Sequence, residues 1–166
     1  MKTLDQHLAQ YAAYHQDRRN VATHFVGIPL IILGIVFALS TVSFAVGESN
    51  ITLAWIVSLA ACIYYLKLNL SYGILMLVLL MGACAWGADV ASMDHSLWIA
   101  LAAFIVGWIF QFVGHIWEGR KPAFFDDLMG LLIGPLFVLY EFLLLLGMGK
   151  ELKTKVDTHL IQANKP

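Results

Sequence analysis

Charged side chains are scarce in this 166-residue sequence: Asp, Glu, Lys and Arg make up 13% of it and hydrophobic residues 60%, against about 25% charged and 45–50% apolar in soluble domains. That shortage excludes an ordinary soluble globule. The few charges are balanced, ten Lys and Arg against eleven Asp and Glu for a net charge of -1. No basic excess exists to bind nucleic acid by counterion release, so DNA and RNA are not expected as partners. Cysteine is scarcer still. Cys62 and Cys84 both lie inside apolar runs, where a thiol behaves as a small hydrophobe, and no disulfide framework is expected. The first 25 residues are polar and lack the apolar core and small-residue cleavage site of a secretory signal, so the N-terminus is expected to be retained.

What the sequence has in abundance is long apolar stretches. Five runs approach or exceed the length that crosses about 30 Å of hydrocarbon at 1.5 Å per residue: Val26 to Val46, Ile51 to Leu66, Leu70 to Ala88, Leu97 to Gly114 and Leu128 to Met148. A bilayer cannot satisfy exposed backbone groups and the runs show no period of two, so they read as helices, and the fold class is an all-α integral membrane bundle. Orientation follows from the basic residues, which gather in cytoplasmic loops. Lys2, Arg18 and Arg19 precede the first run, Lys67 follows the second, and Arg120 and Lys121 follow the fourth, whereas Gly47 to Asn50 and Asp89 to Ser96 carry none. The N-terminus and the Arg120 loop are therefore expected in the cytoplasm. Five full crossings would strand Lys150, Lys153, Lys155 and Lys165 on the far side. Gly134-Pro135 and Glu141 in the last run suit a broken or re-entrant segment, so four crossings plus such a segment are expected. Short links leave room for one domain over residues 1–166: a cytoplasmic helix and loop (1–25), membrane segments (26–148) and a cytoplasmic tail (149–166).

Several polar residues stand out against this background. Leu4, Leu8, Tyr11 and His15 share one face of an amphipathic helix over residues 3–16. Asn20 is a candidate N-cap, and His24 follows just before the first crossing. Gln111, His115 and Glu118 form a single stripe at the end of the fourth. The topology deduced from lysines and arginines thus gathers His15, His24, His115 and Glu118 at one membrane face. Three imidazoles and a carboxylate suit a first-row transition metal with open positions, as in non-haem Fe(II) oxygenases, and zinc would use the same ligands. The bland alternative is that these side chains face headgroups or cap helix ends. His7 and His159 read as solvated residues of the tails, and Asp126 and Asp127 as acidic residues at the start of the last helix. Trp117 reads as an interfacial anchor or a wall of the site. An intramembrane Glu141 is costly unless paired or neutral. It supports a rival reading, a small proton-coupled transporter or channel with Glu141 and the histidines as a relay. A non-catalytic membrane scaffold is a third.

Tyr14-His15, Asn20, His24, Gly27-Ile28-Pro29, Gln111-Phe112-Val113-Gly114-His115, Glu118-Gly119-Arg120-Lys121-Pro122-Ala123 and Gly134-Pro135-Leu136 together resemble the small membrane 2-hydroxy fatty acid dioxygenases named for the metabolism of phytosphingosine to odd-numbered fatty acids. The resemblance implies an Fe(II)-dependent enzyme of fatty acid α-oxidation that converts a long-chain 2-hydroxy fatty acid and O2 to the acid one carbon shorter, without 2-oxoglutarate. Under it, His15, His24 and His115 are expected to hold a mononuclear iron, with Glu118 a fourth ligand or a partner that orients an imidazole. Asn20 and Gln111 are expected to hydrogen-bond substrate or oxygen, and Arg18, Arg19, Arg120 and Lys121 to attract the substrate carboxylate, with solvated or lipid-facing roles as their alternative. The acyl chain would run into the lipid. Either a bacterial inner membrane or the endoplasmic reticulum membrane would suit such a chain, with the site facing the cytoplasm.

Overall fold

The computed structural model describes residues 2–121 and 129–163. Seven helices and one hairpin are present among them: α1 (Leu4–Ala12), α2 (Arg18–Ser40), β1 (Ser43–Val46), β2 (Ser49–Thr52), α3 (Leu53–Leu68), α4 (Leu70–Ala91), α5 (Ser96–Glu118), α6 (Met129–Leu145) and α7 (Lys150–Ala163). With 23, 22 and 23 residues, α2, α4 and α5 are long and apolar enough to cross a membrane. At 16 and 17 residues, α3 and α6 are shorter apolar helices.

The chain divides into two compact units, residues 29–109 and residues 1–28 with 110–166. Within the first, Val36, Phe37, Ala54, Cys84, Val90 and Ala100 form a buried cluster. Both cysteines are free and buried, as expected of core filler, and the Cys84 thiol lies 3.2 Å from Ser58 Oγ as its donor. Gly34 lets two backbones meet: a Cβ there would stand 2.7 Å from Phe104 N and 2.8 Å from Ala100 O. Small residues at such crossings are the usual device of helices that have no hydrophobic drive to associate in lipid. In the second unit α1 packs against α6 and α7, burying Leu4, Leu8 and Tyr11 on α1 and Val156 on α7.

Several boundaries differ from the sequence expectations for physical reasons. The first apolar run does not stay helical to Val46. It leaves the helix at Ser40, and Ser43–Val46 pairs antiparallel with Ser49–Thr52, Phe44 opposite Ile51, around a turn in which Gly47 takes φ 61°. The fold is mostly helical, as expected, with one hairpin added, because a glycine able to adopt left-handed φ follows a short Phe/Val-bearing segment. The N-cap position falls to Asp17, not Asn20. The Arg19 amide donates to Asp17 Oδ1 at 2.8 Å and α2 starts at Arg18, eight residues before the apolar run does. Gly134-Pro135 does not break the last segment, since Pro135 lies inside a continuous α6. Within the tail, residues 150–163 form a helix, and His159 is not simply solvated, because its Nε2 pairs with Asp5 Oδ2 at 2.7 Å. Asp126 and Asp127 lie outside the described residues.

Gly34→Ala is expected to lower stability by about 1–3 kcal/mol, the typical cost of overpacking, because the atoms in the way are backbone and cannot rotate aside. Thermal unfolding of the detergent-solubilised variant beside the parent checks it.

Candidate metal centre

His24 and His115 stand on α2 and α5, and His15 in the short stretch between α1 and α2. All three are buried, 5%, 1% and 5% exposed for His15, His24 and His115. Their ring centroids are 4.5 Å apart for His15 and His24, 5.0 Å for His15 and His115, and 5.2 Å for His24 and His115. One ligand atom from each lies within 4.8 Å of the others.

The hydrogen bonds decide which ring atoms are free. His15 Nδ1 lies 2.7 Å from the Tyr11 carbonyl oxygen and His24 Nδ1 2.8 Å from the Asn20 carbonyl oxygen. A carbonyl only accepts, so in both rings Nδ1 carries the hydrogen and Nε2 carries a lone pair. His115 has its backbone partner at Arg120. The nitrogens left over, Nε2 of His15, Nε2 of His24 and Nδ1 of His115, are buried without a hydrogen-bond partner. Buried polar atoms are rarely left so, and three of them converging on one spot fit a metal ion, each imidazole oriented through its other nitrogen as metal-ligating histidines usually are. Burial also pushes the His15 imidazole down to about 4, so the ring is in its neutral, ligating form at ordinary pH.

Glu118 is not one of the converging groups. Its Oε1 accepts the Gln16 amide at 2.9 Å, and its Oε2 accepts the Asp17 amide at 2.9 Å and Asn20 Nδ2 at 3.1 Å. The carboxylate holds the stretch that carries His15 against the end of α5. Close passage of α2 and α5 near the site depends on Gly114, where a Cβ would overlap Thr23 Oγ1 and Asn20 Oδ1 and stand 3.2 Å from Asn20 Cα. Thr23 Oγ1 itself donates to the Asn20 carbonyl at 2.7 Å.

The remaining sequence candidates divide. Asn20 Oδ1 and Gln111 Nε2 are buried without a hydrogen-bond partner, on the same two helices as His24 and His115. Arg19 is tied to Asp17, Nη2 to Oδ2 at 2.7 Å, and lies 5.4 Å over the Trp117 ring. Arg120 Nη1 donates to the Ala13 carbonyl at 2.9 Å, and Arg18 is exposed. Arg120 and Lys121 also line an open groove of about 390 Å³ with Phe112, His115, Ile116 and Gly119. Glu141 stands apart from the histidines, half-buried with Lys153 and Asp157 of α7 as its charged neighbours. Sequence pattern did not single out Thr23 or Phe137, and it marked Tyr11 only as an apolar-face residue. Tyr11 stacks on His15 at 4.2 Å and 4° and meets Phe137 at 4.9 Å.

A model of the Mpo1-like family, described as 2-hydroxy-palmitic acid dioxygenase Mpo1-like, matches residues 1–145. The 2-hydroxy-palmitic acid dioxygenase MPO1 of Saccharomyces cerevisiae is 33% identical over 160 residues, covering 92% of this chain and 87% of the yeast protein. No solved structure matches.

Glu118→Ala is expected to weaken metal binding by about 10–100-fold, the usual cost of losing a group that orients a ligand, while leaving helix content unchanged. Metal affinity by chelator competition, read beside far-ultraviolet circular dichroism, tests it.

Proposed function

The chain belongs to the Mpo1-like family, and from that membership we propose that it is an iron-dependent dioxygenase that shortens a long-chain 2-hydroxy fatty acid by one carbon. The observation that carries the reading is the trio of buried, unpartnered histidine nitrogens. His15, His24 and His115 would hold one Fe(II), which when bound supplies the means of bringing O2 and substrate into reaction. The reaction balances as one 2-hydroxy acid and one O2 giving the acid one carbon shorter, CO2 and water, so no 2-oxoglutarate or other reductant enters. Zinc, which uses the same ligand types, would not support this oxidation.

The chain's own residues have distinct tasks in this reading. The Tyr11 and Asn20 carbonyls hold the His15 and His24 tautomers. Glu118 is a positioning residue, since both of its oxygens are engaged with Gln16, Asp17 and Asn20. Asn20 Oδ1 and Gln111 Nε2, unsatisfied within the protein, orient the substrate hydroxyl or O2. In the groove beside His115, Arg120 and Lys121 attract the carboxylate while Phe112 and Ile116 lie along the acyl chain. Arg18 is free to add to the positive field at the mouth. Arg19, already paired with Asp17 and seated over Trp117, contributes less.

The site is assembled from both ends of the sequence, within the unit of residues 1–28 and 110–166, and we propose that the chain works as one catalytic domain over residues 1–166. We propose four crossings by α2, α3, α4 and α5, with α6 re-entrant, placing both termini and the site on the cytoplasmic side of a bacterial inner membrane or the endoplasmic reticulum.

Purified protein loaded anaerobically with Fe(II) is expected to bind about one iron per chain and to convert a 2-hydroxy fatty acid and O2 to the acid one carbon shorter, read by mass spectrometry. His24→Ala and His115→Ala lose both properties. A chain that binds no metal refutes the reading and leaves proton flux in Glu141 variants as the next assay. Topology is tested by a membrane-impermeant maleimide. Cysteine at Glu48 or Asp94 reacts from outside, whereas cysteine at Lys67 or Lys150 reacts only after permeabilisation.

A further inference from the structure

His15 is held differently from the other two histidines. His24 and His115 lie within long helices whose hydrogen-bond ladders set their backbones, whereas His15 lies three residues past the end of α1. Glu118 holds the residues that follow it, and Tyr11 holds the ring, by its carbonyl to Nδ1 at 2.7 Å and by face-to-face stacking at 4.2 Å. Where Tyr11 stands therefore sets where His15 Nε2 points.

Tyr11 belongs to a nine-residue helix. A helix that short has little stability of its own in water, so α1 takes its place from what it packs on, α6 and α7. On the α6 side, Phe137 meets the Tyr11 ring at 4.9 Å, and Gly134 makes room for the phenol, a Cβ there coming within 3.0 Å of Tyr11 Oη. On the α7 side, Val156 is 1% exposed, and His159 Nε2 meets Asp5 Oδ2 at 2.7 Å across 154 residues of sequence. Apolar contacts let a helix slide or rotate. A partly buried hydrogen bond between two side chains pins it at one register.

We propose that α7 positions His15: the Asp5–His159 pair sets the register of α1, and through Tyr11 the direction of the His15 lone pair. Asp5 and His159 are positioning residues, neither being a member of the histidine cluster. The inference rests on the metal-centre reading and adds to it a remote part of the chain on which metal affinity depends.

Co(II) is the probe, because its visible bands report ligand number and geometry. The full-length protein in detergent is compared with Asp5→Asn, His159→Leu and the exchanged pair Asp5→His with His159→Asp. Each single variant is expected to bind Co(II) several-fold more weakly, up to about 10-fold, the low end of the range for outer groups that orient a ligand. Its visible spectrum shifts as well, and the exchange restores both. Tyr11→Leu, which removes the stacked ring, is expected to behave like the single variants. Folded single variants with the parent's affinity and spectrum overturn the inference while leaving the metal centre standing. A parent that binds no Co(II) overturns the metal centre itself. If a single variant does not fold, the exchanged pair decides: folding with the parent's spectrum supports the inference, and folding with an altered one overturns it.

Discussion

One carboxylate holds the histidine cluster in shape. Glu118, at the last turn of α5, accepts two consecutive backbone amides, of Gln16 and Asp17, and the side-chain amide of Asn20. Bonds to an ionised acceptor are roughly twice as strong as neutral ones, and here three converge on one group. The amides belong to the stretch where the chain passes from α1 to α2, just beyond the last turn bonds, of Tyr14 to Tyr11 and His15 to Ala12. Holding that stretch places His15 before the cluster and aligns the start of α2, from which Asn20 in turn orients His24. The same engagement leaves the carboxylate unavailable as a ligand without releasing three donors.

Much of this was legible in the sequence. The spacing of Leu4, Leu8 and Tyr11 gave the buried face of α1, although the helix stops at Ala12 instead of running to residue 16 and His15 lies beyond it, and the stripe of Gln111, His115 and Glu118 gave the polar edge of α5. The distribution of lysines and arginines brought the three histidines to one side without reference to their chemistry. The partners of Glu118 were not legible, because two of them are backbone amides, which every residue has and no letter displays. Asp17 and Asn20 are both good caps, and only the geometry shows that Asp17 takes the role and frees the Asn20 side chain for Glu118. The helix at residues 150–163 was hidden by its polarity. Leu152, Val156 and His159 lie at helical spacing, but the apolar stripe is thin beside the runs before it. The hairpin was hidden for the opposite reason, since Phe44 and Val46 extend an apolar run that reads as helix until the glycine is noticed.

Apolar surface in the 29–109 unit has the distribution expected of helices solvated by lipid. Ile56, Leu59, Ile63, Val78, Leu79 and Leu101 are exposed, while the buried cluster is built largely of modest side chains such as Ala54, Cys84 and Ala100. With no hydrophobic gain from bringing apolar helices together in lipid, close packing has to supply the cohesion. Gly34, where backbone meets backbone, is the clearest case.

Gly114 carries that economy of space into the site, and it constrains how the sequence can evolve. Any side chain there meets Thr23 Oγ1, Asn20 Oδ1 and the Asn20 backbone together. A smaller residue at Thr23 would relieve only the first of these, and removing the Asn20 side chain would take away a donor to Glu118. Enlarging position 114 therefore calls for change at Thr23 and Asn20 as well, so the close approach of α2 and α5 ties the three positions to one another.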